Sequence, residues 1–200
     1  MVTPEEVMAG EIRHALSVAI PNTSYGPICT PTQQGTSAEG VTCGTAVAPA
    51  SKFERGGRPD PPIPETFKSI YTIDKTVPEG MLFGLDITYE AIDEWIRSRP
   101  NFVSNPRRAE TARIYARALK DYGMIIADTS GSGTGIEQVG GVNPDHAAKW
   151  KALGMGPEER DDMLVGLITA TNLYVVNPPK ATCKDGTITR YYCEWTSISY

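Results

Sequence analysis

Only a few residues of this sequence combine a reactive side chain with a setting that gives it something to do. His14 stands in the run Ile12 to Ile20, where Ile12, His14, Leu16, Val18 and Ile20 share one parity while Arg13, Ser17 and two alanines share the other. That alternation is the signature of a half-buried strand and turns the imidazole toward the apolar side. A buried imidazole needs a hydrogen-bond partner, and its titration near neutral pH suits it to acid or base work. Asp128 ends the apolar stretch Met124 to Ala127 and precedes Thr129-Ser130-Gly131-Ser132-Gly133-Thr134-Gly135. Its carboxylate therefore sits at a loop mouth, where catalytic and turn-capping carboxylates both occur. Two carboxylates flanking a sugar would serve glycoside hydrolysis, and a histidine or tyrosine with a carboxylate would serve β-elimination from a uronic acid. His14 and Asp128 are the candidate catalytic pair, against the structural roles of a satisfied core histidine and a turn cap.

Other chemistries lack their sequence. The glycine-rich Gly131 to Gly135 is followed by no Gly-Lys-Ser/Thr and opens no helix, so it reads as a hairpin turn rather than a phosphate cradle. No Gly-x-Ser-x-Gly nucleophile elbow, HExxH or EF-hand pattern occurs, and neither a cofactor nor a metal site is expected. His146 falls in the first turns of a helix, and Asp86 alternates with the apolar face of its strand, so both read as solvated. Tyr71, Tyr89, Tyr191, Tyr192, Trp195 and Tyr200 are candidates for an aromatic sugar platform, with packing or a partner interface as the competing role.

Cys29, Cys43, Cys183 and Cys193 form two sequence-local pairs, neither of them C-x-x-C, which argues against a zinc knuckle or a thioredoxin-like site. Local pairing into two disulfides is the expectation, because short loops close at little entropic cost. Register bears on this: a two-residue turn at Asp185-Gly186 sets Cys183 opposite Ile188 rather than Cys193, so a local bridge there requires a wider loop or a bulge. Paired cysteines imply an oxidising compartment, hence a secreted or cell-surface protein. The chain opens Met-Val-Thr-Pro-Glu-Glu, without the charged start and apolar core of a signal peptide, so residue 1 is expected to be an imposed start, a processed end or the edge of a larger chain. With 19 basic against 24 acidic residues and a formal charge of −5, the balance is wrong for a nucleic-acid binder. No apolar run approaches the ~20 residues of a membrane span.

The elements that must position these residues are legible in part. Thr3 with Pro4, Glu5 and Glu6 is a capping-box helix start, and Gly10 ends that helix. Pro21 to about Pro78 holds more than half of the 16 prolines and no sustained periodicity, so residues 21–78 read as a long Pro/Gly-rich loop pinned by Cys29 and Cys43. Met81 to Ile87 is a strand, and Thr88 caps a helix carrying Ile92, Trp95 and Ile96 that stops before Pro100. Asn105-Pro106 opens the strongest helix, with Ala109, Ala112, Ala116, Leu119 and part of Tyr122 on its apolar face, Arg107, Arg113 and Lys120 toward water, and Gly123 at its end. Met124 to Asp128 and Ile136 to Val139 are partner strands. Asn143-Pro144 starts a helix through Trp150 to Gly154, and Pro157 starts another through Met163 to Leu167. Strands at Leu173 to Val176, Thr182 to Lys184 and Thr187 to Trp195 complete the chain. These elements define one α+β domain over residues 1–200, with an antiparallel sheet or β-sandwich and several short packed helices.

Three blocks carry a family resemblance: Gly10-Glu11-Ile12-Arg13-His14-Ala15-Leu16, Val77-Pro78-Glu79-Gly80-Met81-Leu82-Phe83, and Ala116 through Asp128 with its Tyr122-Gly123-Met124-Ile125-Ile126-Ala127-Asp128 end. Together they resemble the C-terminal half of an uncharacterised family of exported bacterial proteins that carry "IRHAL" and "YGMI-AD" blocks. Here Thr129-Ser130 replaces the family's Asn-Gly, and the cysteine-bearing loop replaces its aromatic segment. The resemblance implies a large β-rich segment ahead of the "IRHAL" strand, hence a fragment or cleavage product of a larger protein whose sheet another chain completes. Three function classes follow: an enzyme acting on extracellular polysaccharide, of glycoside hydrolase or lyase type; a carbohydrate-binding module of the cell surface; and a structural or assembly subunit. The expected partner is polysaccharide or another protein chain.

Overall fold

The computed structural model describes residues 1–24, 46–47, 49–50, 76–130, 133–140, 143–155, 163–176, 181–182 and 189–190. All four cysteines, Tyr71 and the aromatics from Tyr191 onward lie outside them, as does most of the 21–78 loop. Helices α1 (Pro4–Met8), α2 (Tyr89–Ser98), α3 (Pro100–Val103), α4 (Pro106–Tyr122) and α5 (Pro144–Ala152) accompany strands β1 (Leu16–Ile20), β2 (Leu82–Leu85), β3 (Met124–Thr129), β4 (Gly135–Ile136) and β5 (Leu173–Val176). These strands form one sheet in the order β4-β1-β3-β2-β5; β6 (Ala181–Thr182) and β7 (Thr189–Arg190) pair separately and antiparallel. Thr182 stands opposite Thr189, the register expected of a hairpin turning at Asp185-Gly186.

The α+β class holds, but the sheet is mixed, which corrects the expected antiparallel one. The β1 and β3 strands run parallel: the Leu16 N–H donates to the Gly123 carbonyl at their starts, and the Ser130 N–H to the Ile20 carbonyl at their ends. Parallel neighbours need a long crossover, and the chain from Ile20 to Met124, with α2 to α4 in it, supplies one. Nor are β3 and β4 hairpin partners, because β1 lies between them. Before β2, the Gly80 N–H donates to Ile126 while the Ile126 N–H donates to Met81, at 2.7 and 3.0 Å. Two residues thus oppose one, with the first a glycine at φ 86°, which is the G1 bulge of an antiparallel pair.

The chain divides into two compact units. One comprises Met1–Ser17, Phe83–Met124 and Gly135–Val175. In it the expected caps form. Thr3 and Glu6 close a capping box, Thr88 accepts from the Ala91 N–H, Asn105 from Arg108 and Asn143 from Asp145. Helices α2, α3 and α4 pack on one another, and α1 packs on α5. Within this core Tyr115, Trp150 and Thr111 are buried and satisfied: the Tyr115 hydroxyl accepts from Gln138, the Trp150 indole N–H donates to the Val139 carbonyl, and the Thr111 hydroxyl donates to the Leu153 carbonyl. Residues 163–167 are turn rather than the expected helix, with Met163 and Leu167 buried.

The other unit comprises Val18–Leu82, Ile125–Thr134 and Val176–Tyr200. Val18, Ala46 and Ile126 are buried here. The two ends of the long loop return to one place: Thr23 and Val77 form a parallel bridge, with Ser24 N–H donating to Val77 at 3.0 Å and Val77 N–H to Asn22 at 2.9 Å.

Candidate functional site

His14 precedes β1 rather than standing inside it, since the strand starts at Leu16. The expected buried face of that strand is therefore corrected at its front end, and the His14 side chain is 39% exposed. Its Nε2 lies 3.0 Å from Glu6 Oε1 and its Nδ1 lies 2.8 Å from the Ala15 carbonyl. Both ring nitrogens face oxygens that only accept, so a ring carrying both protons satisfies both contacts and a neutral ring only one. Glu6 is held from its other side as well: the Thr3 N–H and hydroxyl donate to its Oε2 at 2.9 and 2.8 Å. Burial pushes the Glu6 carboxyl up, but the Thr3 backbone and hydroxyl donors and the neighbouring His14 outweigh it and hold the group below the ordinary glutamate range.

Asp128 belongs to the other unit, where it is exposed near the end of β3 and accepts the Thr129 N–H at 2.7 Å. Beside it, the Thr23 and Thr129 hydroxyls hydrogen-bond each other. His146 stands 3.9 Å from Glu5, which also takes the Lys149 ammonium at 2.5 Å.

A concavity lies elsewhere, in the first unit. Gly10 leaves α1 at φ 87°, and Glu11, Ile12 and Arg13 then run past α4 and the first residue of α2. A cleft of about 500 Å³ results, lined by this segment, Tyr89, Ile114, Arg117, Ala118, Asp121 and Tyr122. The α4 residues are spaced i, i+3, i+4, i+7 and i+8, which places them on one helix face. Ile12, Ile114 and Ala118 are buried and make an apolar floor. Polar and aromatic groups make the rim. Tyr89 and Tyr122 are each 44% exposed, which corrects the expected inward placement of Tyr122.

The rim is ordered by internal contacts. The Tyr89 hydroxyl donates to Asp121 at 2.6 Å, and this bond, with burial adding, pushes the phenol above the usual tyrosine range. Lys120 and Arg117 stand 4.9 and 5.9 Å from the Tyr89 ring centre, within cation–π reach. Arg13 pairs with Glu11 at 2.6 Å. The site is an open cleft with an apolar floor and a predominantly polar, charged rim. Tyr89 was among the sequence candidates for a sugar platform; Arg13, Arg117, Asp121 and Tyr122 were not site candidates. The missed signal was the second stripe on α4, where apolar and charged residues mix instead of repeating one type. Among the described residues no group of three metal-ligating side chains occurs. Compared with known proteins, the chain matches no family model, no curated protein and no solved structure.

Proposed function

We propose that this chain belongs to an exported protein that acts on extracellular polysaccharide, and that it does so by recognising glycan in the cleft between the Gly10–Arg13 segment, Tyr89 and α4. The observation that carries the reading is one cleft of about 500 Å³ that joins an apolar floor to a rim of two tyrosines, two guanidiniums and two carboxylates. A sugar ring presents an apolar C–H face and a belt of hydroxyls. Tyrosine offers a flat amphipathic surface to the first, and arginine and carboxylate groups offer donors and acceptors to the second. Export rests on the four cysteines and on the family resemblance of the three blocks.

Recognition stands ahead of cleavage for a chemical reason. Hydrolysis of a glycoside needs one carboxyl that delivers a proton. Both cleft carboxylates are already engaged as acceptors, Glu11 by Arg13 and Asp121 by Tyr89. His14 would have to release Glu6 or Ala15 before serving as a base. The deciding experiment is a polysaccharide panel, read both for saturable binding and for release of reducing ends or unsaturated uronic acids, with wild type and His14→Ala side by side. Binding without turnover is expected. Turnover that His14→Ala loses would make the chain an enzyme with His14 at its site, and binding to no glycan would overturn the proposal.

The assembly reading has its own observation: among the described residues β5 is the last strand in the sheet order, and Tyr174 and Val175 on it are 51% and 52% exposed. Sedimentation across a hundredfold range of concentration separates the two readings. A monomer throughout counts against assembly.

A further inference from the structure

We infer that the cleft selects a carboxylate-bearing sugar, the uronic acid unit of an acidic polysaccharide, with Arg117 holding its carboxylate. This rests on the glycan reading above. The argument is one of charge left over. Of the four charged side chains that line the cleft, Arg13 and Glu11 neutralise each other at 2.6 Å. Asp121 takes the Tyr89 proton into a hydrogen bond at 2.6 Å. Arg117 is exposed, lies on the ring of Tyr89, and forms no ion pair among the described residues. Lys120, over the same ring, likewise forms none among them. With the Arg13–Glu11 pair set aside, the lining leaves Arg117 against Asp121, and Lys120, beside the cleft on the Tyr89 ring, tips the local balance to two cations against one carboxylate.

That surplus stands in a chain of formal charge −5, so general attraction does not bring an anion here and the recognition must be local. A guanidinium beside an aromatic ring presents a planar fork, which suits a carboxylate held at two points. A bare polyanion would fit worse. Glu11 and Asp121 offer only acceptor oxygens, so the ligand must also carry donors, and a uronate carries hydroxyl donors together with its carboxylate. On α4, residues 117 and 121 stand about one helical turn, ~5.4 Å, apart, a span comparable with the breadth of a sugar ring.

The test is calorimetric titration of the full chain with oligogalacturonate, a neutral glucan oligosaccharide of equal length and dextran sulfate, each at low and high salt. Wild type is compared with Arg117→Gln, Arg117→Lys and the off-cleft control Arg107→Gln, each checked for an unchanged melting temperature. Preferential binding of oligogalacturonate is expected, weakened about tenfold in Arg117→Gln, weakened less in Arg117→Lys, unchanged in Arg107→Gln, and falling with salt. Equal binding of the neutral glucan, or an unaltered Arg117→Gln, overturns the acid selectivity while leaving the glycan reading in place. Dextran sulfate binding as tightly as oligogalacturonate overturns it in favour of a general polyanion surface. Binding of none of the three overturns the acid selectivity, and the polysaccharide panel above decides separately whether the glycan reading falls with it.

Discussion

At the scale of single residues, the most informative arrangement is the knot of Thr3, Glu6 and His14. A carboxylate fed by two donors from Thr3 and facing the imidazole ties the start of α1 to the approach to β1. The Glu6 carboxyl is held below its ordinary range, so the folded state binds its proton more weakly than the unfolded chain does. Its contribution is complete above the ordinary glutamate value of ~4.3 and fades as pH falls through the lowered folded value. Glu5, held down by Lys149, and Asp93, held down by Arg113, act in the same direction. Melting temperature is therefore expected to fall as pH drops from about 5 to 3, and Glu6→Gln to flatten part of that fall; an unchanged acid slope in Glu6→Gln would remove Glu6 from the account. Tyr89 behaves oppositely. Its phenol is raised first by the bond to Asp121, so its added stability is complete below the ordinary tyrosine value and is lost as pH rises through the folded one. Ultraviolet titration of Asp121→Asn should show tyrosine ionisation moving to lower pH, and an unmoved curve would contradict the contact.

At the scale of elements, α4 explains why one helix serves both core and cleft. Ala112, Ala116 and Leu119 are fully or nearly fully buried, Thr111 and Tyr115 extend the buried surface, and the stripe from Ile114 to Tyr122 is left for the cleft. Leu119→Ala is expected to cost about 2–5 kcal/mol by deleting packed methyl groups, and Asn105→Ala about 1 kcal/mol by freeing the Arg108 N–H at the helix start. Denaturant unfolding measures both. Two glycines make a sharper pair because their φ angles match and their surroundings do not. Gly10 and Gly80 have φ of 87° and 86°, yet an added Cβ meets nothing within 4 Å at Gly10 and falls 1.8 Å from the Val47 carbonyl oxygen at Gly80. Gly10→Ala therefore carries only the left-handed strain, about 1–2 kcal/mol. Gly80→Ala must also push apart the bulge and the segment beside it, and should unfold the protein or lower its stability well beyond that. Equal losses in the two variants would refute the crowded setting of Gly80.

At the scale of the whole molecule, local chemistry was legible in the sequence and long-range pairing was not. Thr3, Thr88, Asn105 and Asn143 announced their helices because a cap is decided within four residues. The strand order was hidden because β1 and β3 become neighbours across roughly a hundred residues, and alternation in either strand is blind to which partner it meets. The candidate site divided the same way: Tyr89 was legible as one of six aromatics suited to a sugar platform, whereas Arg117 and Asp121 acquire meaning only when the Gly10–Arg13 segment is laid beside α4. The proposed export carries its own prediction from local chemistry, since four cysteines in an oxidising compartment should form two disulfides. Thiol titration in denaturant without reductant should find no free thiol, and peptide mapping should join Cys29 to Cys43. That bridge closes 15 residues counting both ends and is worth about 3 kcal/mol on the loop-entropy account, so reduction should lower the melting temperature by many degrees. Four titratable thiols in protein purified from an oxidising compartment would remove the argument for export, and the ligand proposed for the α4 cleft would then have to be sought inside the cell.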